Sequence, residues 1–563
     1  MKTLLKNGEV INVFTDEIER VNVLIEDDKI IGVGAYLDAD VDVVEDVSDK
    51  YICPGFIDGH IHIESTMLTP TELAKLCLPC GTTSIVADPH EIANVCGVDG
   101  IEYILQASEN LPFHVYVNLP SCVPATPFDE AGAVLTAEKL LPLYNHPRVI
   151  GLAEMMNYPG VLFGDSDVLQ KLADAKKQGK IIDGHAPFLT GKDLDKYLSA
   201  GIQSDHECSD IAEAKEKLKK GQWIMIRQGT AARNLQSLLP LFDEPYSRRC
   251  VLVTDDRHPA DLRKEGHIDN CIRLAVQAGK SPLTAIRMAS LQTAQCFRIP
   301  YVGAVAPGYR ADILVLNNLE TVEVESVYVS GKKVVDGKRL GEISTPKISP
   351  EIQEKVERSF HTQPLTVEDF TLLPKTKKCR IIEAVAGQLL TNERIEEICW
   401  DKANGVDVDR DILKLAVIER HKNTGHIGLG FIQGIGLKKG AIASSVSHDS
   451  HNVIVIGTNA EDMAIASNRV CEVGGNVVVC EGKILAEMPL PIAGLMTEQS
   501  GEEISKLNEL VRQTAHTLGV PKEIEPFMNM AFVSLPVIPH LKMSTQGLVD
   551  VDAFTRVSLY VED

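Results

Sequence analysis

The sequence predicts an α/β protein built on a TIM (β/α)8 barrel, with a small β-sandwich domain and an additional C-terminal α/β domain. Three observations support this prediction. Strand-like and helix-like stretches alternate through residues 52–303, strand-rich pieces flank them, and separate apolar runs lie beyond residue 370. Eight strand–helix units in about 250 residues match the size of such a barrel. The alternation alone leaves a doubly wound open sheet as the alternative.

The β domain is predicted from two separated pieces of chain, residues 1–51 and 304–345. Short β-rich runs occur in both, for example Val21–Ile25 in the first and Ala311–Leu316 in the second. The pair Asn7-Gly8 predicts a hairpin turn in the first piece. We therefore expect one small domain that both pieces build together.

The barrel is predicted over residues 52–303, with helical stretches such as Asp167–Gln178 and Asp210–Lys220 between the strands. Eight runs of apolar and β-branched residues are the candidate strands: Phe56–Ile63, Thr83–Asp88, His114–Leu119, Val149–Glu154, Ile181–His185, Ile202–His206, Ile224–Gln228 and Val251–Asp255. In a barrel, the C-terminal ends of all eight strands surround one opening, where active sites of this fold lie.

The C-terminal part is predicted as a separate α/β domain over residues 370–563, after a polar, proline-containing linker at 345–365. A helix is expected near Glu502–Thr517. The apolar runs that predict its strands are Leu413–Ile418, Val453–Ile456 and Val477–Val479.

The composition of the chain argues against a nucleic-acid-binding protein and against a membrane protein. The 563 residues carry a net charge of −23, with 44% hydrophobic and 24% charged residues. So acidic a chain is a poor candidate for binding nucleic acid or an anionic membrane surface. The sequence has no signal-peptide pattern and no apolar run of membrane-spanning length. Its 13 scattered cysteines suit reduced thiols, so we expect a cytoplasmic location.

Metal-ligand side chains lie at the ends of the predicted barrel strands. His60 and His62 are two residues apart, so a strand places both imidazoles on one face. A single His-x-His pair is more often structural than ligating. Here, however, the ends of four later strands also bear ligand residues, namely Glu154, His185, His206 and Asp255. Six such side chains around one opening predict a site for divalent metal ions.

This order of residues resembles the amidohydrolase superfamily, in which His-x-His follows strand 1, an acid follows strand 4, histidines follow strands 5 and 6, and Asp follows strand 8. Within the superfamily the chain resembles the bacterial adenine deaminases, which have Glu at the bridging position, here Glu154. Four further segments support the likeness: Ala87-Asp88-Pro89-His90-Glu91, Pro307-Gly308-Tyr309-Arg310-Ala311-Asp312, Ser447-His448-Asp449-Ser450-His451-Asn452 and Met488–Met496.

The resemblance implies two divalent ions, with Mn²⁺ or Fe²⁺ favoured and Zn²⁺ also compatible with the ligand types. The first ion would be held by His60, His62 and Asp255, and the second by His185 and His206. Glu154 would bridge the ions, and Asp255 would carry a proton from the activated water to the leaving amine. Glu154 and Asp255 are thus the predicted catalytic residues.

The resemblance also implies that adenine is hydrolysed to hypoxanthine and ammonia in purine salvage, and that the protein is a homo-oligomer. Two rival functions remain at this point. One is another amidohydrolase that acts on a cyclic amide or a different amino-heterocycle. The other is a non-catalytic scaffold that keeps the barrel without its metals.

Four further residues are candidate substrate contacts. Glu64 shares the strand face of His60 and His62, and His90 follows the second strand. For His90, a capping role in its loop is the alternative. Asp449 and His451 belong to a polar cluster that precedes an apolar run. We expect this cluster to close over the barrel opening, and a local turn network is the alternative.

Overall fold

The computed structural model describes residues 1–37, 41–230, 232–337, 339–385, 388, 390–401 and 403–562. The chain forms two compact units, and each is assembled from three separated segments. The first unit comprises Met1–Pro89, Ile104–Ser121 and Thr136–Ile348. The second comprises His90–Tyr103, Cys122–Leu135 and Ser349–Asp563. The four domain boundaries given above stay predictions.

In the first unit, both flanking pieces join in a single nine-stranded sheet around a core that includes Val23, Ile52 and Ile313. Its strands are Lys2–Asn12, Glu17–Glu26, Lys29–Gly34, Val43–Asp46, Tyr51–Pro54, Ile313–Asn318, Glu323–Val329, Lys332–Asp336 and Arg339–Leu340. A sandwich would divide these strands between two sheets. Here the long strand Lys2–Asn12 pairs with Glu17–Glu26, Val43–Asp46 and Tyr51–Pro54, so hydrogen bonds run through the whole set.

The hairpin prediction at Asn7-Gly8 is wrong. Both residues lie inside the strand Lys2–Asn12, where the pairing with the next strand shifts between Leu5 and Gly8. Asn7 has a φ of 66°. Asparagine tolerates this left-handed conformation, which here serves an irregularity within a strand instead of a turn between two strands.

Eight strands follow along the middle of the chain, at the places that the sequence predicts. They are β1 (Phe56–Ile61), β2 (Thr82–Ala87), β3 (His114–Leu119), β4 (Val149–Met155), β5 (Ile181–Gly184), β6 (Ser204–Asp205), β7 (Trp223–Arg227) and β8 (Cys250–Val253). Strands β1 to β5 form one parallel sheet, and β6 to β8 form a second parallel sheet. The mixed α/β architecture is therefore confirmed.

Helices alternate with these strands in the first unit. They are Pro70–Cys77, Ala137–Leu140, Tyr158–Phe163, Ser166–Lys177, Gly191–Ser199, Ile211–Lys219, Leu235–Leu238, Pro259–Glu265, Ile268–Gln277, Pro282–Met288 and Leu291–Cys296. Asp165 and Asp210 cap the N-termini of Ser166–Lys177 and Ile211–Lys219 with their side-chain oxygens. The predicted helices at these two places are confirmed.

The ends of β1 and β8 are adjacent. The backbone N–H of Asp255 donates to the carbonyl oxygen of His60 at 2.9 Å, and Ile61 and Asp255 form an isolated parallel bridge. Beneath this contact, the buried carboxylate of Asp58 accepts the N–H groups of His60 and Thr254 at 3.1 and 3.2 Å. The last strand is thus fixed against the first at the end where the predicted ligands lie.

The second unit contains a nine-stranded sheet and a three-stranded sheet. Their strands are Lys378–Ala384, Thr391–Glu397, Leu413–Ile418, Ile427–Gln433, Ala441–Ser444, Val453–Gly457, Asn476–Cys480, Lys483–Met488 and Tyr560–Val561 in the larger sheet, with Leu541–Ser544, Gly547–Asp550 and Thr555–Arg556 in the smaller. The helix Ala460–Val473 buries Met463, Ala466 and Val470 against this larger sheet.

Four more helices belong to the second unit: His90–Cys96, Pro350–Glu357, Gly501–Thr517 and Pro526–Ala531. Residues of the helix Val98–Ala107 divide between the two units. The segment 345–365 is not a plain linker, because Pro350–Glu357 buries Ile352 and Val356, four residues apart on one helix face. Among the helices of the described residues, none has the length and apolar character that a bilayer crossing requires.

A buried lysine connects the ends of β5 and β6. Lys217, in the helix Ile211–Lys219, lies 3.0 Å from Asp205 Oδ2 and 2.6 Å from Glu213 Oε1. Its ammonium also donates to the carbonyl oxygen of Ala186 at 2.7 Å. Burial lowers the pKa of Lys217, but Asp205 and its other neighbours outweigh burial and raise it above its ordinary value. The lysine therefore carries its charge beneath the segments that bear His185 and His206.

We expect Lys217→Met to destabilise the protein by about 3–5 kcal/mol, because two buried carboxylates lose their cation. Thermal unfolding measures this loss. The matched control is Lys219→Met, which replaces an exposed lysine of the same helix. Equal melting temperatures for the two variants would contradict the role given to Lys217.

Candidate metal centre

The six predicted ligands come together in the first unit, at the C-terminal ends of the parallel strands. His60 lies in β1 and Glu154 in β4. His62, His185 and His206 directly follow their strands, and Asp255 lies two residues after the end of β8. All are buried except His185, whose side chain is 24% exposed. The predicted strands included several of these residues, but most lie just past the last hydrogen-bonded strand residue. Their side chains are thereby directed by loops that the strands hold in place.

Glu154 lies between two groups of imidazoles. Its Oε1 is 3.5 Å from His62 Nε2, while its Oε2 is 2.6 Å from His185 Nδ1 and 3.2 Å from His206 Nε2. One carboxylate thus offers a different oxygen to each group. This is the arrangement that a bridging ligand between two metal ions requires.

Asp255 completes the group around His60 and His62. Its Oδ1 is 3.0 Å from His62 Nε2 and 3.5 Å from His60 Nε2. The ligand atoms of these three residues all lie within 4.8 Å of one another, and so do those of His60, Glu154 and His206. Nitrogen and carboxylate donors at this spacing suit zinc, iron or manganese.

The imidazoles of His62 and His60 are oriented by contacts of their Nδ1 atoms. His62 Nδ1 donates to the carbonyl oxygen of Asp88 at 3.0 Å, which directs Nε2 toward Asp255 and Glu154. His60 Nδ1 lies 3.3 Å from Asp183 Oδ2, so its Nε2 is likewise directed into the centre. His60 Nε2 is buried and has no hydrogen-bond partner in the described part of the chain. A buried ring nitrogen without a partner fits a metal ligand.

The two acids of the centre are held as carboxylates. Burial raises the pKa of Glu154, but His185 and His206 outweigh it and hold the pKa well below its usual range. Burial also raises the pKa of Asp255, but the Arg227 guanidinium and the imidazoles of His60 and His62 outweigh it. Both groups are therefore deprotonated and ready to bind cations at neutral pH.

Sequence reasoning missed the charged residues next to these ligands. Arg227, the last residue of β7, donates from Nη1 to Asp255 Oδ2 at 2.6 Å. It also pairs with Glu207, whose Oε1 is 3.4 Å from His206 Nε2. Both residues lie at strand ends, the position from which the six candidate ligands were predicted. That signal was available for Glu207, which directly follows His206.

Asp58 and His267 are two further buried residues that were missed. His267 Nε2 lies 3.1 Å from Asp58 Oδ2, and its Nδ1 pairs with Thr82 Oγ1 at 2.9 Å. Asp58 is two residues before His60, on the same strand face. Nothing in the local sequence of His267 indicates its role, because its partners are distant along the chain.

The candidate substrate contacts divide between the two units. Glu64 is buried in the 3-10 turn Glu64–Thr66 of the first unit, directly after β1. His90, Asp449 and His451 lie buried in the second unit. There His90 Nε2 is 4.0 Å from Asp449 Oδ1. Their contact with a substrate stays a prediction.

The polar cluster of the second unit has a dense local network. His448 Nδ1 lies 3.2 Å from Glu91 Oε1, and the His448 ring stacks on Phe532 with centroids 4.5 Å apart. His451 donates its backbone N–H to Ser447 O at 2.7 Å, and its Nδ1 accepts the backbone N–H of Ser447 at 3.2 Å. These bonds fix the conformation of residues 447–451 within their own unit.

Comparison with known proteins places the chain in a family. Residues 51–334 match the amidohydrolase family, and residues 388–555 match the adenine deaminase C-terminal domain. An adenine deaminase of Desulfatibacillum aliphaticivorans is 46% identical over 99% of this chain and 97% of its own length. The chain belongs to the adenine deaminases of the amidohydrolase family. An adenine deaminase of Clostridium acetobutylicum is 44% identical over 98% of this chain and 96% of its own length.

Membership of this family confirms the resemblance that the strand-end residues indicated. An adenine deaminase 2 of Carboxydothermus hydrogenoformans, 45% identical, covers 98% of the chain and 96% of its own length. The similarity therefore includes both the segment with the metal centre and the C-terminal part.

We expect Glu154→Gln to lower metal content, because the amide removes the negative charge that lies between the two imidazole groups. Elemental analysis of the purified variant measures the loss. Glu138→Gln, at an exposed position, serves as the control and should bind metal like the wild type. Two ions with full activity in Glu154→Gln would rule out a bridging role.

Proposed function

We propose that the protein is a metal-dependent enzyme that hydrolyses adenine to hypoxanthine and ammonia. The observation that carries the proposal is the two-sided contact of Glu154, which offers one oxygen to His62 and the other to His185 and His206. Full-length relatives bear the name adenine deaminase. The buried donor groups supply what such an enzyme needs at its centre.

In this proposal His60, His62 and Asp255 would hold one divalent ion, His185 and His206 would hold a second, and Glu154 would be a ligand to both. Mn²⁺ or Fe²⁺ is the proposed metal, and Zn²⁺ also suits the donors. When bound, the two ions lower the pKa of a water molecule and so supply a nucleophile for C6 of adenine at neutral pH.

Asp255 is the proposed proton carrier. Its Oδ1 faces His60 and His62, while its Oδ2 is occupied by Arg227. Oδ1 is therefore the atom that accepts a proton from the attacking water and delivers it to the departing amine. Burial of the centre limits competing bulk water and strengthens each electrostatic contact made there.

The strands β1 to β8 are proposed to close into a (β/α)8 barrel. The backbone bond from Asp255 to His60 and the bridge between Ile61 and Asp255 support closure of the last strand on the first. Glu64, His90, Asp449 and His451 remain the proposed substrate contacts. A cytoplasmic location and a homo-oligomeric state complete the proposal.

We expect Asp255→Asn to retain at least one metal ion yet to lower kcat by roughly 10²–10⁴-fold, the usual contribution of a general acid–base group. Ammonia release from adenine, with metal analysis of the same preparation, measures both quantities. Asp243→Asn changes an exposed aspartate that pairs with Lys280, and it should leave both unchanged. A normal rate in metal-loaded Asp255→Asn would exclude the role of proton carrier.

A screen of adenine, adenosine, cytosine and guanine tests the substrate. We expect ammonia from adenine and none from adenosine, because the full-length relatives are named for the free base. Rates on adenosine comparable to those on adenine would make the protein a nucleoside deaminase. Turnover of a different base alone would reassign the substrate while leaving the metal centre as proposed.

A further inference from the structure

Arg227 is a buried cation whose contacts are not explained by metal binding. It ends β7, and its guanidinium lies between two carboxylates. Nη1 donates to Asp255 Oδ2 at 2.6 Å, and Nη1 and Nη2 both donate to Glu207, with 3.2 Å between Nη2 and Oε2. One side chain thus connects the acid of the first imidazole group to an acid beside the second.

The two oxygens of Asp255 have different partners. Oδ1 faces the ring nitrogens of His60 and His62, and Oδ2 faces Arg227. Rotation of the carboxylate would exchange the oxygens, and the bond to Arg227 opposes that rotation. The backbone is constrained as well, because Asp255 has a φ of 59°, which is uncommon for residues other than glycine.

Glu207 in turn fixes the guanidinium. It makes two parallel bonds to Arg227, a geometry that a planar fork satisfies and an ammonium does not. Its own backbone N–H donates to Asp205 Oδ1 at 2.7 Å, and Asp205 also binds the buried Lys217. A chain of hydrogen bonds therefore runs from Asp205 through Glu207 and Arg227 to Asp255, and each residue fixes the orientation of the next.

We propose that Arg227 is a positioning residue for proton transfer: it holds Asp255 with Oδ1 directed toward the metal side, and Glu207 holds Arg227 in place. The proposal rests on the proposed function, in which Asp255 carries the proton. A displacement of about 1 Å in a reacting group lowers a rate by roughly 10²-fold. Loss of the guanidinium therefore acts on kcat, while the number of bound metal ions and the binding of the base remain unchanged.

The first test compares Arg227→Met with Arg233→Met, which changes an exposed arginine in the following loop. We expect kcat for adenine to fall about 10²-fold in Arg227→Met, with KM and the content of two metal ions unchanged. Arg233→Met should match the wild type. An unchanged kcat, or the loss of a metal ion from Arg227→Met, overturns the proposal.

Conservative replacement and chemical rescue keep the test decisive if Arg227→Met folds poorly. Arg227→Lys keeps the positive charge but not the planar guanidinium that donates two parallel hydrogen bonds. We therefore expect a kcat between those of the wild type and Arg227→Met. Guanidinium chloride added to Arg227→Ala should restore part of the rate, while methylammonium at the same concentration should not. Equal rescue by both cations would mean that charge alone is needed, which contradicts positioning.

A double-mutant cycle identifies the partner through which Arg227 acts. If Arg227 acts through Asp255, adding Arg227→Met to Asp255→Asn should lower kcat little further. Additive losses of kcat for Arg227→Met and Asp255→Asn overturn the proposal. That result is clearest if the losses for Arg227→Met and Glu207→Gln are non-additive, because Arg227 would then act together with Glu207 and not through Asp255.

Cobalt spectroscopy supplies a readout that is independent of turnover. In the Co²⁺-loaded protein, Arg227→Met should change the visible absorption, because Asp255 alters its coordination, and Arg233→Met should not. An unchanged spectrum in Arg227→Met contradicts the proposed hold on Asp255. If the wild type releases no ammonia from adenine, the proposed function fails, and the spectrum still decides the role of Arg227.

Discussion

The rest of the centre depends on the contacts that the Glu154 carboxylate makes with the two groups of imidazoles. Four imidazoles in a small buried space offer only neutral ligands when they are deprotonated. Two divalent cations held in this space, as we propose, would repel each other strongly in a medium of low dielectric constant. An anion between them would reduce that repulsion, and Glu154 presents one oxygen to each group of imidazoles. The positions of β1, β4, β5 and the segment after β6 must all be accurate for this single contact to form.

Buried polar contacts beneath the candidate ligands fix the positions of these strand ends. Asp58 accepts backbone N–H groups from the ends of β1 and β8, and Lys217 binds Asp205 and the carbonyl of Ala186. These groups are costly to bury alone, so each must be matched. Because these paired groups connect neighbouring strand ends, the loops that carry most of the candidate ligands start from fixed positions.

The sequence was sufficient for the eight strands and for six candidate ligands that the structure brings together, because both follow from local patterns. Buried parallel strands read as apolar runs, and polar residues at their ends stand out against them. The sequence did not predict the structural role of residues whose partners are distant along the chain. Asn7-Gly8 serves a strand irregularity, Ile352 and Val356 form a buried helix face, and His267 pairs with Asp58. Arg227 ends a strand, yet its pairing with Asp255 and Glu207 required coordinates.

The division of the chain into interleaved units affects how the protein is made. The second unit needs residues His90–Tyr103 and Cys122–Leu135, which leave the ribosome long before Ser349–Asp563. At synthesis rates of roughly 5–20 residues per second, these early segments wait for tens of seconds for the partners that bury them. During that time apolar side chains such as Ile92 and Ile101, buried in the finished protein, remain open to other chains. Chaperone occupancy during translation should therefore be greatest between the emergence of residue 135 and that of the last strands.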